Sequence, residues 1–199
     1  KALSVKPDVI IDDGGDMVSI LHEEHPEWGF AFPAKLMKKD IDLILDMNCN
    51  TIRGSHYPNS KIFVDMLDER GILFWSEIPM WGVGFSEKTL TDEFLMERGF
   101  VMHQEMVKYY YNHPSIVIWG ILNECASETE EGREKYKKQY EQIKEQDKTR
   151  PTTSATCRHF TDICLDLPDV VSFNMYSGWY QDVTVKERHE NEMDWIASA

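Results

Sequence analysis

The stretch His113-Pro114-Ser115-Ile116-Val117-Ile118-Trp119-Gly120-Ile121-Leu122-Asn123-Glu124 decides the fold. From Ser115 to Leu122 it leaves almost no polar face, and Pro114 bars a helix from running into it. A run of this length, rich in β-branched residues, reads as a strand. A strand apolar on both faces belongs to a parallel sheet covered by helices. It stops abruptly at an amide and a carboxyl group, Asn123 and Glu124.

On either side of this strand, β-rich runs alternate with helical ones. Upstream, Thr91 to Tyr111 is periodic as a helix, and Ile72 to Trp75 is a buried strand. Ser60 to Arg70 is a helix that Gly71 stops, and Asn50 to Arg53 is a brief strand. Ala34 to Met47 carries Met37, Ile41, Ile44 and Leu45 on one stripe, and Met17 to Leu21 is a short first strand. Downstream, Glu130 to Lys148 is a charged helix. Thr152 to Ala155 and Val170 to Met175 are strands, and Thr184 to Ala197 is a last helix. Six strand-helix units in a row mean an α/β fold, read as a single domain over residues 1–199.

Two parallel architectures compete, the doubly wound sheet and the (β/α)8 TIM barrel. No glycine-rich phosphate loop follows the first strand, which disfavours the dinucleotide-binding version of the former. The barrel is favoured because nearly every strand ends in side chains capable of chemistry, and barrel active sites sit at those ends. About six of its eight units are visible. A sheet stopped there has unpaired edges, which invite association with a second copy.

Composition narrows the function. A net charge of -14 argues against nucleic acid and gives no reason for an anionic membrane. No apolar run is long enough to span a bilayer, and the opening Lys1-Ala2-Leu3-Ser4 is no signal segment, so a cytoplasmic location is expected. Cys49, Cys125, Cys157 and Cys164 form no CxxC pair and no zinc spacing; free thiols are expected, with neither metal nor cofactor.

The strand ends supply the candidate site. Glu124 stands at the rim of a dry core, where lost hydration favours a carboxyl that keeps its proton, as a general acid must. Its alternative is a loop carboxylate capping a helix. Arg53 and His56 end another strand; the guanidinium suits a forked grip on a carboxylate or a structural ion pair equally. His22 and His25 flank two glutamates without metal spacing. Glu77 is either a second catalytic carboxylate or a structural anion for Arg53. Tyr176, Trp179 and Tyr180 offer faces for stacking on a pyranose, or ordinary loop packing.

These motifs resemble glycoside hydrolase family 2. His22-Glu23-Glu24-His25-Pro26, NTIRGSHYPN from Asn50, DERGILFWSEIP from Asp68, HPSIVIWGILNE from His113, Arg150-Pro151 and Asn174-Met175-Tyr176 follow the family's order from about residue 17 to the end. The resemblance implies a TIM barrel that hydrolyses β-linked glycosides with retained stereochemistry. It implies that Glu124 is the acid/base and that Asn123 binds the hydroxyl beside the reacting carbon. It places Arg53 and Tyr176 against the nucleophile, and His22 and His56 around the sugar; Trp179, from the aromatic cluster, is a further substrate-binding candidate.

The family's nucleophile is a glutamate on the seventh strand, beyond residue 199, so residues 1–199 alone are expected to be inactive. Glu77, on the third strand, does not match it, which favours the structural role. Cys125 stands where proline is common, and the loop from Glu77 to Gly84 lacks the Glu-x-His pair with which some relatives bind magnesium. The run Ser177-Gly178-Trp179-Tyr180 is similar to the β-glucuronidase branch, with a β-galactoside as the other substrate. The rival reading is a non-catalytic carbohydrate-binding or self-associating partial barrel.

Overall fold

The computed structural model describes residues 26–82 and 92–176, with Lys186, Glu190, Met193 and Asp194. For residues 26–35 it describes the backbone alone. The expected first strand, His22, Trp179 and most of the expected last helix lie outside the described residues.

The described elements are α1 (Pro26–Asp46), β1 (Thr51–Gly54), α2 (Lys61–Arg70), β2 (Leu73–Ser76), α3 (Glu93–Tyr110), β3 (Ile116–Asn123), α4 (Glu130–Gln146), β4 (Thr152–Thr156) and β5 (Val170–Phe173). Helix and strand alternate as far as β4, and β5 follows it through turns alone. The parallel strands lie in one sheet in the order β1-β2-β3-β4-β5. A doubly wound sheet reverses direction at a switch point. This order never reverses, which fits part of a barrel and not a doubly wound sheet. The helix expected from Ala34 begins eight residues earlier, at Pro26, because proline is accommodated in a first helical turn.

The chain divides into two packing units. The first comprises residues 1–53, 59–74 and 113–115. In it α2 is closed at both ends. Ser60 Oγ accepts the Phe63 N–H, and Gly71 takes the left-handed conformation at φ 68° that ends the helix. Val64 and Leu67 are buried beneath it, with Ile41 of α1 and Phe74 of β2.

The second unit comprises residues 54–58, 75–112 and 116–199. Its core is β3, in which Ile116, Trp119, Ile121 and Leu122 are all buried. At the start of the strand, Trp119 Nε1 and Arg150 Nη1 both donate to Asp147 Oδ2, at 3.0 and 2.7 Å. Arg150 Nε also donates to the Ile116 carbonyl at 2.7 Å. α4 covers the sheet with Tyr136, Gln139, Tyr140 and Ile143, a helical stripe of buried residues. β4 is buried although it reads Thr-Thr-Ser-Ala-Thr. Its hydroxyls are bonded sideways: Thr152 Oγ1 to Asp169, Thr153 Oγ1 to the Val170 carbonyl and to Ser172, and Ser154 Oγ to the Leu122 N–H and to Tyr140.

His103, in the middle of α3, is fully buried, with Nε2 3.2 Å from the Ile121 carbonyl. Burial lowers its pKa from the ordinary 6.5 to about 4. The unfolded chain therefore takes up a proton that the folded chain refuses between those values. Asp68 and Asp169, held below their ordinary 3.8 against the opposing effect of burial by hydrogen bonds from Ser115 and Thr152, act only at lower pH. We expect the thermal midpoint to fall as pH drops from about 6.5 towards 4, and His103→Gln to flatten that slope (measured by thermal unfolding across the range). An unchanged slope would remove His103 as its source.

Candidate active site

The site is built where β3 ends. Asn123 and Glu124 are bonded on both flanks. The Asn123 N–H donates to the Met80 carbonyl at 2.8 Å, and the Gly82 N–H donates to the Asn123 carbonyl at 3.2 Å. On the other side the Glu124 N–H donates to the Ala155 carbonyl at 2.8 Å. Between Gly120 and Asn123 the pairing with β4 shifts register, as at a β-bulge, and Ser154 Oγ takes up the Leu122 N–H there. Glu124 then has φ 53°, a left-handed turn that a non-glycine residue adopts only when its surroundings hold it there.

Its side chain is held as well. Asn174, the first residue after β5, donates from Nδ2 to Glu124 Oε1 at 2.7 Å and to Asn123 Oδ1 at 2.8 Å. Asn123 is buried and Glu124 half-buried. Two thiols flank them. Burial pushes Cys125 up to about 12, and burial with the nearby Glu124 charge raises Cys157. Both therefore stay protonated near neutrality and add no negative charge beside Glu124.

The wall on the other flank is His56, Glu77 and Trp81. His56 Nδ1 lies 2.8 Å from Glu77 Oε2, whose side chain is 4 % exposed. The imidazole stacks against Trp81 with ring centroids 6.1 Å apart, and Trp81 forms a parallel bridge with Asn123. The peptide between Ser55 and His56 is cis. Six residues from four strand ends thus form one connected set: His56, Glu77, Trp81, Asn123, Glu124 and Asn174.

Of the residues expected from sequence, Asn123, Glu124 and His56 belong to this set. Tyr176 is exposed in the segment after β5. Arg53 is half-buried in β1 and belongs to the first unit. His22 and Trp179 lie outside the described residues. Sequence reading named Asn174 only as part of a motif and did not single out Trp81. The pairing of β3 with β4 and of β4 with β5 that brings Asn174 to Glu124 is a long-range fact.

Among the described residues one cluster has metal-ligating chemistry: Asp65, Asp68 and His113, each offering an atom within 4.8 Å of the others. It lies in the first unit. Lys61 already pairs with both Asp65 oxygens, at 2.7 and 2.8 Å. Asp68 takes the Ser115 N–H at 2.8 Å and stands 2.6 Å from His113 Nδ1. The cluster clamps α2 to the segment entering β3. All four cysteines are free thiols, and no described helix is long and apolar enough to cross a membrane.

Residues 20–197 match the family described as glycosyl hydrolases family 2, TIM barrel domain. The chain is 48% identical to a β-galacturonidase from Eisenbergiella tayi whose structure holds galacturonate, over 87% of this chain and 31% of that one, with a TM-score of 0.78. It is 35% identical to a β-glucuronidase of Bacteroides fragilis over 80% of this chain and 23% of the relative. It is 34% identical to a β-galactosidase of Thermoanaerobacterium thermosulfurigenes over 77% and 20%. The chain thus spans under a third of the length of each of these relatives.

Gly120 makes the site's packing possible. A methyl group there would overlap the Trp75 indole nitrogen and stand 2.5 Å from Glu77 Cγ. Neither atom is the free end of a flexible side chain. Gly120→Ala should therefore cost roughly 1–3 kcal/mol in stability, read by denaturant unfolding. A cost near zero would mean that Trp75 and Glu77 are not held as described.

Proposed function

The chain belongs to glycosyl hydrolase family 2, as part of its TIM barrel domain, and on that footing we propose that it carries the general acid/base of a retaining β-glycosidase acting on β-linked uronides. The observation that carries this is the placement of Glu124: a half-buried carboxyl group at the C-terminal end of an apolar strand, fixed by its own backbone and by Asn174.

In this reading Glu124 protonates the glycosidic oxygen as the bond to the sugar breaks. It then takes a proton from the water that releases the sugar. Asn123, turned by Asn174, offers its amide to the hydroxyl beside the reacting carbon. His56, steadied by Glu77 and Trp81, lines the sugar pocket. Arg53 and Tyr176 orient the nucleophile, a second carboxylate roughly 5–5.5 Å from Glu124. The family resemblance puts that group on the seventh barrel strand. His22 and Trp179 complete the pocket.

The substrate class is supported by identity. The relative at 48% acts on galacturonides by its description, against 34% for the β-galactosidase. The Ser177-Gly178-Trp179-Tyr180 run points the same way. A β-galactoside is the second reading, supported by that β-galactosidase relative.

The test uses the gene product that carries this sequence. We expect nitrophenyl β-galacturonide or β-glucuronide to be cleaved well ahead of nitrophenyl β-galactoside; the reverse order would overturn the uronide assignment. Glu124→Gln should lower the rate of glycosidic cleavage by about 10²–10⁴-fold for alkyl uronides. It should cost far less for activated aryl uronides, whose leaving groups need little proton donation, when the first step is followed by pre-steady-state release of the aglycone. Equal, small losses on both would remove Glu124 from the role.

A further inference from the structure

Asn174 has a single donating nitrogen, and both of its hydrogens are used at the site. One goes to Glu124 Oε1 at 2.7 Å and the other to Asn123 Oδ1 at 2.8 Å. The residue's side chain is held by those two bonds, and its backbone is bonded at both ends. Its N–H donates to the Thr156 carbonyl at 2.9 Å, and its own carbonyl lies 2.8 Å from His159 Nε2. The His159 ring meets Phe173 edge-on, with centroids 5.9 Å apart. The amide is therefore a fixed donor pair facing two acceptors.

Resting on the reading of Glu124 as acid/base, we infer that Asn174 is its positioning residue and determines which carboxyl oxygen delivers the proton. An oxygen that accepts the amide N–H is occupied as an acceptor, so Glu124 carries its transferable proton on the other oxygen, Oε2. The same amide holds the Asn123 side chain with its carbonyl oxygen towards Asn174, which turns the Asn123 NH₂ the opposite way. One planar group thus orients the acid and the neighbouring hydroxyl-binding amide together. Glu124 needs such an anchor. Its left-handed backbone swings the side chain off the strand line, and a misplacement of about 1 Å costs on the order of a hundredfold in rate.

The test measures kcat and KM against pH in the gene product carrying this sequence, on β-uronides whose leaving groups range from alkyl to dinitrophenyl. Asn174→Ala should lower kcat by about 10- to 100-fold for alkyl leaving groups and only a few-fold for dinitrophenyl, with KM little changed. Asn174→Asp keeps the shape but sets a second carboxyl against Glu124. Two carboxylates so close do not both ionise, so the alkaline limb of the pH profile should move up by about one unit or more. Losses equal across all leaving groups, or an alkaline limb that stays in place in the Asp variant, would overturn the inference. If the Ala variant does not fold, the Asp variant decides alone. Glu124→Gln on the same series separates the two ideas: leaving-group dependence there with none in Asn174→Ala rejects Asn174 only, and none in either rejects the acid/base reading itself.

Discussion

The end of β3 is hydrogen-bonded to a neighbour on each side, and the site depends on that double attachment. Met80 and Gly82 hold Asn123 from one flank while Ala155 holds Glu124 from the other. A strand end bonded on one side frays, and a side chain carried on it wanders. Here the far end of the strand is fixed too. Arg150 reaches the Ile116 carbonyl and, with Trp119, the buried Asp147 carboxylate. Three charge-assisted contacts at the start and three backbone bonds at the finish leave β3 little freedom to slide. The register shift between Gly120 and Asn123 can then re-aim the last two residues without loosening them.

Much of this was legible because it is local. An apolar run broken by Asn123-Glu124 is written in consecutive residues, and it alone implies a two-sided strand with chemistry at its end. Gly71 announced the end of α2, and the stripe of α4 followed from its spacing. The strand β4 was legible in position but not in character. A buried strand of threonine and serine has no hydropathy signal, and the hydroxyls of Thr152, Thr153 and Ser154 are satisfied by partners far along the chain, such as Asp169 or Tyr140.

The site was half legible for the same reason. Glu124 and Asn123 declare themselves by standing at a strand end. The bond from Asn174 joins residues 50 apart in sequence, and nothing near Asn174 points to it. Trp81 sits in a loop whose pairing with Asn123 is likewise a product of the fold. From sequence, Glu77 was a catalytic carboxylate or a structural anion. In the structure it is buried beside His56, in space left open by the missing side chain of Gly120.

The hydroxyl lacing of β4 has a consequence for how the sheet assembles. An aliphatic strand can seat against its neighbours in several offsets at nearly equal energy, because oily contacts are not directional. β4 cannot. If it slid by two residues, Thr152, Thr153 and Ser154 would each be parted from their acceptors and donors inside a dry interior, at about 1–3 kcal/mol apiece. The strand behaves as a key with cut teeth. It supplies little adhesive force, but it enters its slot in one alignment, and that alignment sets the height at which Ala155 meets Glu124 and Thr156 meets Asn174.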